Sequence, residues 1–386
     1  MNSILPALVI AAIAGVLPAQ EAPRTNVDLN PALPYQAVRS NAVTYDVDLS
    51  VVVTPPYKAK KLAIWLPIPT SDAAQEVSDS RVSSFPLAVE PQVGTEPTFG
   101  NKFAYFEFSS PQGAQIIRHQ FRIKVWELNW NLDPVKVVAV NEWPASFDKF
   151  RSGDTQAVVV DDRFSKLLND IAPDRTNAAQ GLGGVMQWVQ ENFEYDHHDA
   201  SLRASAEHAL TKRRGHCSDY HSFCASLGRL LGMPTRVTYG INAFPKNSPS
   251  HCKLEAFIAP YGWVSFDVSE TQKLVGELRK STGLDEAQRT ALIERAQTRL
   301  ARGFRDNTWF LQTRGTDYDL VPKASKRVAV VRTAYIEADG VPLPEPDPAD
   351  KSARAFSWMT VHDYRADRNV PYPFTDWNTL GPVETK

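Results

Sequence analysis

Cysteine is scarce in this sequence: Cys217, Cys224 and Cys252 are the only three in 386 residues. An odd count leaves a thiol over after any internal pairing, so the chain is not a disulfide-framed scaffold, and an exported protein would need a use for the spare thiol. Long apolar runs are missing too; no stretch reaches the roughly 20 residues that cross a bilayer as a helix. A basic stripe is also lacking. The 42 Lys and Arg are mixed along the chain with 44 Asp and Glu, for a formal net charge of −2, which argues against nucleic acid as a partner. What remains, at 43% hydrophobic and 22% charged residues, is a globular chain with enough apolar surface for one large core or two ordinary ones.

The first residues, MNSILPALVIAAIAGVLPAQEAP, carry an apolar run from Ile4 to Leu17 that is too short to span a membrane. It reads as a signal peptide over 1–19, followed by a polar linker over 20–39. The expected location is therefore extracytoplasmic, either secreted or periplasmic, with no membrane span left after cleavage.

Period-two alternation appears in residues 42–54 (AVTYDVDLSVVVT), KLAIWLPIP, FAYFEFS and QIIRHQFRIKVWEL. These runs are separated by Pro, Gly and Ser clusters and predict an N-terminal antiparallel β-sandwich over 40–150. From Asp161 the period becomes helical. FSKLLNDIA is a short helix, Thr176 to Phe193 a second, and Cys217 to Leu231 a third, closed by Gly232 and Pro234. Short strands follow in TRVTYGI, LEAFIA and WVSFDV. An inserted helix is predicted over 284–302, strand character resumes in RVAVVRTAYIEADG, and a proline-rich tail occupies 341–386. The second domain thus covers 151–340, and the fold class is α+β.

Within RRGHCSDYHSFCASLGRLLGMPTR, Cys217 falls at a predicted helix start, where unpaired backbone N–H groups and the macrodipole favour a thiolate. A thiolate nucleophile needs a proton carrier for the leaving amine, and that carrier needs an orienting group. SHCKLEAFIAPYGWVSFDVSE supplies both. His251 begins one strand and Asp267 ends the next, and a tight turn near Ala259 or Pro260 brings them opposite or nearly so. Cys217 is therefore the candidate nucleophile, His251 its base and Asp267 the orienter. The Cys217 N–H is a natural oxyanion donor, with Asn192 or Tyr195 as the second.

Cys224 reads as core. Cys252, alternating with His251, is expected on the other face of the strand, either packing there or paired with Cys224. Asp219 either holds His221 or caps the helix start, and an aspartate in the first turn suits the dipole. The DHHD run at Asp196–Asp199 reads as a solvated loop, because adjacent residues diverge and no partner cluster has ligand spacing. A zinc site from His216, Cys217, His251 and Cys252 would consume the nucleophile.

Together, Gly215-His-Cys217-Ser-Asp219, GMPTRV, His251 and Gly262-Trp263 through Asp267 resemble the core motif of the transglutaminase-like superfamily. That family reads Gly-x-Cys-x-Asp, Gly-x-Pro-x-Arg, His-x-Trp and Gly-Trp-x-x-x-Asp. MQWVQENFEYD is similar to the helix that precedes the family's cysteine, and the chain resembles exported bacterial members with an N-terminal β-domain. The resemblance implies a papain-like α+β core whose central helix starts at the nucleophile. It also implies acyl transfer through a thioester: an amidase or peptidase, or a transglutaminase, acting on peptide or protein substrates such as those of the cell envelope. The chemistry asks for no cofactor and no metal ion. Lys253 departs from the family, which has tryptophan there in many members. That departure keeps a second reading open, in which the fold serves as a non-catalytic binding or scaffold protein.

Overall fold

The computed structural model describes residues 27–244, 249–344 and 356–382; the signal-peptide segment 1–19 lies outside them. The long strand β1 (Val38–Val53) buries Val43, Tyr45, Val47, Leu49, Val51 and Val53 on one face, as its alternation requires. After β2 (Lys61–Ile68) come β3 (Gln75–Phe85), β4 (Gln92–Thr95), β5 (Lys102–Ser109) and β6 (Gln115–Asn129). Strand β6 pairs antiparallel with β1 along nearly its whole length, and β2 pairs with β5. Val51, Val53 and Ile117 of one sheet pack against Leu62, Ile64, Phe106 and Phe108 of the other, which gives the expected sandwich. Further along, Val43, Val47, Phe121 and Ile123 pack instead against Ile241 and Phe310. The two long strands thus tie the sandwich to the α+β part.

Helices α1 (Asp162–Ile171) and α2 (Ala178–Asn192) lead through β7 (Glu194–Tyr195), α3 (Ala206–Lys212) and β8 (Arg214–Gly215) to α4 (Cys217–Leu230). Helix α4 is buried from Cys217 to Arg229, as a central helix must be. It lies against the strands β9 (Thr235–Asn242), β10 (Ser250–Ile258) and β11 (Gly262–Phe266). Helices α5 (Val268–Lys280) and α6 (Glu286–Ala301) follow, the latter where the sequence predicts a helix over 284–302. Strand β12 (Phe304–Arg305) joins β6, and β13 (Trp309–Arg314) completes a four-stranded sheet in the order β11-β10-β9-β13.

The C-terminal third departs from the sequence expectation. Of RVAVVRTAYIEADG, only Tyr335–Ala338 forms a strand (β14), which pairs with β2 and with β15 (Val341–Pro342). The residues before it are buried irregular chain, with Val328 bridged to Tyr318. The proline-rich segment leads into β16 (Ser357–Ala366), which pairs with β1. Chain distant in sequence therefore completes both sheets of the sandwich.

Gly240 sits opposite His251 in the β9–β10 register. A Cβ there would lie 2.0 Å from the Phe310 carbonyl oxygen and 2.6 Å from the Trp309 ring, and the Trp309 indole N–H donates to the His251 carbonyl at 3.1 Å. Gly240→Ala is expected to cost about 2–3 kcal/mol by overpacking, read as a lowered midpoint of urea unfolding with an unchanged slope.

Candidate active site

Cys217 is the first residue of α4 and is 2% exposed. The turn that delivers it needs Gly215, whose φ is +152° and whose added Cβ would lie 2.6 Å from Asp219 Oδ2. That carboxylate instead accepts the N–H groups of His216 at 3.1 Å, Ser201 at 3.1 Å and Ser205 at 3.2 Å. Asp219 thus caps the helix and pins the preceding loop, and it does not reach His221.

The Cys217 sulfur lies close enough to the His251 ring and the Cys252 thiol for each to act on its ionisation, and it lies 3.4 Å from His216 Nδ1. Burial alone would raise its pKa. The Cys252 hydrogen bond and the neighbouring His216 and His251 rings outweigh that and hold the thiol well below its ordinary value. His251 Nε2 is 2.7 Å from Asp267 Oδ2. Burial opposes its protonation, but the charges of Asp267 and the thiolate, with the hydrogen bonds to both, push the imidazole up to about 9. Both shifts favour a thiolate–imidazolium pair over the neutral pair. Burial also works against the Asp267 charge, and His251 and Lys253 overcome it, keeping the carboxyl well below the usual range.

The β10–β11 register pairs Leu254 with Phe266 and Ile258 with Gly262, so it centres on residue 260 and places Lys253, not His251, across from Asp267. His251 is the diagonal neighbour on the same face. Lys253 Nζ lies 2.6 Å from Asp267 Oδ2 and 2.8 Å from Asp306 Oδ2. Asp267 Oδ1 is left to cap α5, accepting the Glu270 N–H at 3.2 Å.

All three cysteines are free thiols. Cys252 does not turn away from the site as alternation suggested, because at the end of β10 it meets α4, where His221 Nδ1 is 3.3 Å from its sulfur. The Val268 N–H donates to His221 Nε2 at 3.1 Å, so the ring proton of His221 is on Nδ1 and points to Cys252. Burial drives the His221 pKa down to about 4, and it serves as a neutral strut. Cys224 is buried in the core.

Of the two oxyanion candidates, Asn192 is committed to its own helix, its side-chain amide donating to the Trp188 carbonyl at 2.8 Å. Tyr195 lies in the site. Its phenol oxygen meets the Cys217 backbone N–H, and burial together with the nearby thiolate raises its pKa well above the ordinary value, so it stays protonated. Lys273 Nζ sits 3.5 Å over the Tyr195 ring and 2.8 Å from Glu270 Oε1; Tyr372 donates to Glu270 Oε2 at 3.0 Å. The DHHD loop contributes His197, whose ring packs on His216 at 4.9 Å. Lys253, Asp306, His221 and Cys252 are the site residues that motif reading missed. The signal for Lys253 was the turn centre, one residue beyond the one that pairs His251 with Asp267.

Residues 165–268, which include Cys217, His251 and Asp267, match the model of the transglutaminase-like superfamily core. An uncharacterized protein of Haemophilus influenzae is 23% identical over 224 residues, which are 51% of this chain and 58% of that protein; the match spans little more than half of the relative's length. Among solved structures, a candidate cysteine protease from Cytophaga hutchinsonii aligns over 89% of this chain and 97% of its own, with a TM-score of 0.58 and 16% identity. The periplasmic domain of TgpA from Pseudomonas aeruginosa aligns over 67% and 78%, with a TM-score of 0.33 and 16% identity. At these identities the likeness is one of fold.

Proposed function

Starting from a transglutaminase-like core at residues 165–268, we propose that this chain is a thiol acyl-transfer enzyme that opens carboxamide or peptide bonds outside the cytoplasm. The observation that carries this reading is His251, held 2.7 Å from Asp267 Oδ2 and acting on the thiol of Cys217 at the start of α4. In the proposed reaction the Cys217 thiolate attacks the amide carbon, and the negative charge moves onto the carbonyl oxygen. The Tyr195 hydroxyl is a donor at hand for that oxygen, and the Cys217 N–H, which faces the Tyr195 phenol oxygen at rest, becomes the second when that contact is released. The imidazolium of His251 gives its proton to the departing nitrogen as the C–N bond breaks, leaving a thioester. His251, now neutral, takes a proton from water or from a second amine as that group attacks, and the thiolate leaves. The extracytoplasmic location rests on the pattern of residues 1–19. Among the described residues no helix is long and apolar enough to cross a membrane.

Incubation with a glutamine-containing peptide, with and without a primary amine, tests this. Ammonia release without amine uptake assigns hydrolysis, and amine incorporation assigns transfer. Intact peptide under both conditions, with peptide-bond substrates equally untouched, supports the scaffold reading. Because the thiol is shifted down and the imidazole up to about 9, turnover is expected to be level through neutrality. It falls at low pH as the thiolate protonates, and again near pH 9 as His251 loses the proton that the leaving nitrogen requires.

A further inference from the structure

We propose that Lys253, backed by Asp306, is a positioning residue that sets how firmly Asp267 holds His251, extending the Cys217–His251–Asp267 line by a buried ammonium and a second carboxylate. The proposal rests on the thiol-enzyme reading above and adds to it a pair of residues that tune the site.

The geometry is specific. His251 Nε2 and Lys253 Nζ approach the same oxygen, Asp267 Oδ2, at 2.7 and 2.6 Å. Whatever share of that oxygen's charge the ammonium takes is withheld from the imidazole. Asp306 Oδ2, at 2.8 Å on the other side of Nζ, draws the ammonium the opposite way. Asp306 is itself fixed: its Oδ1 accepts the Thr308 N–H at 3.1 Å and the Thr308 hydroxyl at 2.5 Å. The Lys253 head group sits between the rings of Trp309 and Phe374, 5.3 Å from each centroid. Lys253 and Asp306 are each 1% exposed. A buried ion pair is a poor device for stability alone, since an apolar pair of similar volume serves as well or better. Here the pair stands one oxygen from the ring that carries the proton.

Charge balance fixes the expected signs. Removing the Lys253 cation leaves Asp267 and Asp306 uncompensated and makes protons easier to hold at Cys217 and His251, so both ionisations move to higher pH. Removing the Asp306 charge leaves the ammonium less compensated, and both move to lower pH. Removing the two together returns them close to their starting values. The other charged or titratable groups facing this cluster and the thiol include His216 before α4, Asp219 and His221 of α4, Tyr195 of β7, Tyr239 of β9, Cys252 of β10, Glu270 of α5, Arg299 of α6, Tyr45 of β1 and Tyr372 of the C-terminal segment. None of them changes in the variants tested.

The test is the pH dependence of the rate of Cys217 carboxymethylation by iodoacetamide in the full chain. It compares the native protein with Lys253→Met, Lys253→Arg, Asp306→Asn and the double variant Lys253→Met/Asp306→Asn. At an effective dielectric of about 20 and a separation of about 5 Å, the expected displacement is on the order of two pH units. It is upward in Lys253→Met and downward in Asp306→Asn, with Lys253→Arg and the double variant close to native. Displacement in the same direction in both single variants, or none in either while both unfold cooperatively, overturns the proposal. Should Lys253→Met not fold, the downward displacement in Asp306→Asn decides alone. An ordinary, unshifted thiol in the native protein would overturn the thiol-enzyme reading itself, and the proposal with it; a shifted native thiol with unmoved variants overturns only the role of Lys253 and Asp306.

Discussion

Cys217→Ala is expected to lower turnover of any carboxamide substrate by about 10⁵-fold or more, because removing a nucleophile removes the covalent route and leaves only binding and the oxyanion donors. The fold should survive. Alanine is the best helix former, the cap of α4 is supplied by Asp219 and not by the thiol, and the atom removed is one sulfur. Substrate hydrolysis followed beside circular dichroism checks both halves. Retained turnover would place the chemistry on another residue, and Cys252, in contact with the Cys217 sulfur, would be the first to examine.

Asp267→Asn is expected to lower kcat by about 10³- to 10⁴-fold, since an amide no longer selects the His251 tautomer or stabilises the imidazolium. It should also cost about 3–5 kcal/mol of stability, because the Lys253 ammonium, 1% exposed, would lose one of its two anionic partners in the interior. Lost capping does not account for that cost, as asparagine caps a helix as well as aspartate does and Oδ1 is the capping atom. Urea unfolding and steady-state kinetics on the same preparation separate the two effects. The stability term has a pH sign as well. The folded-state carboxyl is held below its ordinary pKa, so its contribution is present above the unfolded value near 4 and is lost as pH falls further.

The sequence made the core legible wherever local pattern and chemistry coincided. A cysteine placed after a glycine at a helix start, a histidine at a strand start and an aspartate past a Gly-Trp turn led to residues that the fold brings together. Lys253 was visible only as a departure from a family pattern. Its meaning depends on a strand register centred one residue further along, and a shift of one position decides which side chain stands opposite Asp267. Asp306 was out of reach because it arrives from beyond α5 and α6. Strand β3, QEVSDSRVSSF, was missed since it is largely exposed and buries little beyond Gln75, leaving no apolar alternation to read. Strand β16 hid behind a proline-rich stretch, and its pairing with β1 is a contact across some three hundred residues, which no local window reports.

The central claim is that Cys217 and His251 rest as a thiolate–imidazolium pair, and alkylation of Cys217 by iodoacetamide from pH 4 to 10, in the native protein and in His251→Ala, tests it most directly. The native thiol should already react rapidly near pH 6, while loss of the ring should slow it there by about 10²-fold and move its inflection up toward the ordinary thiol range near 8.5. Superimposable profiles for the two proteins would contradict the account, because a sulfur indifferent to its neighbouring imidazole has no proton donor to offer a leaving nitrogen.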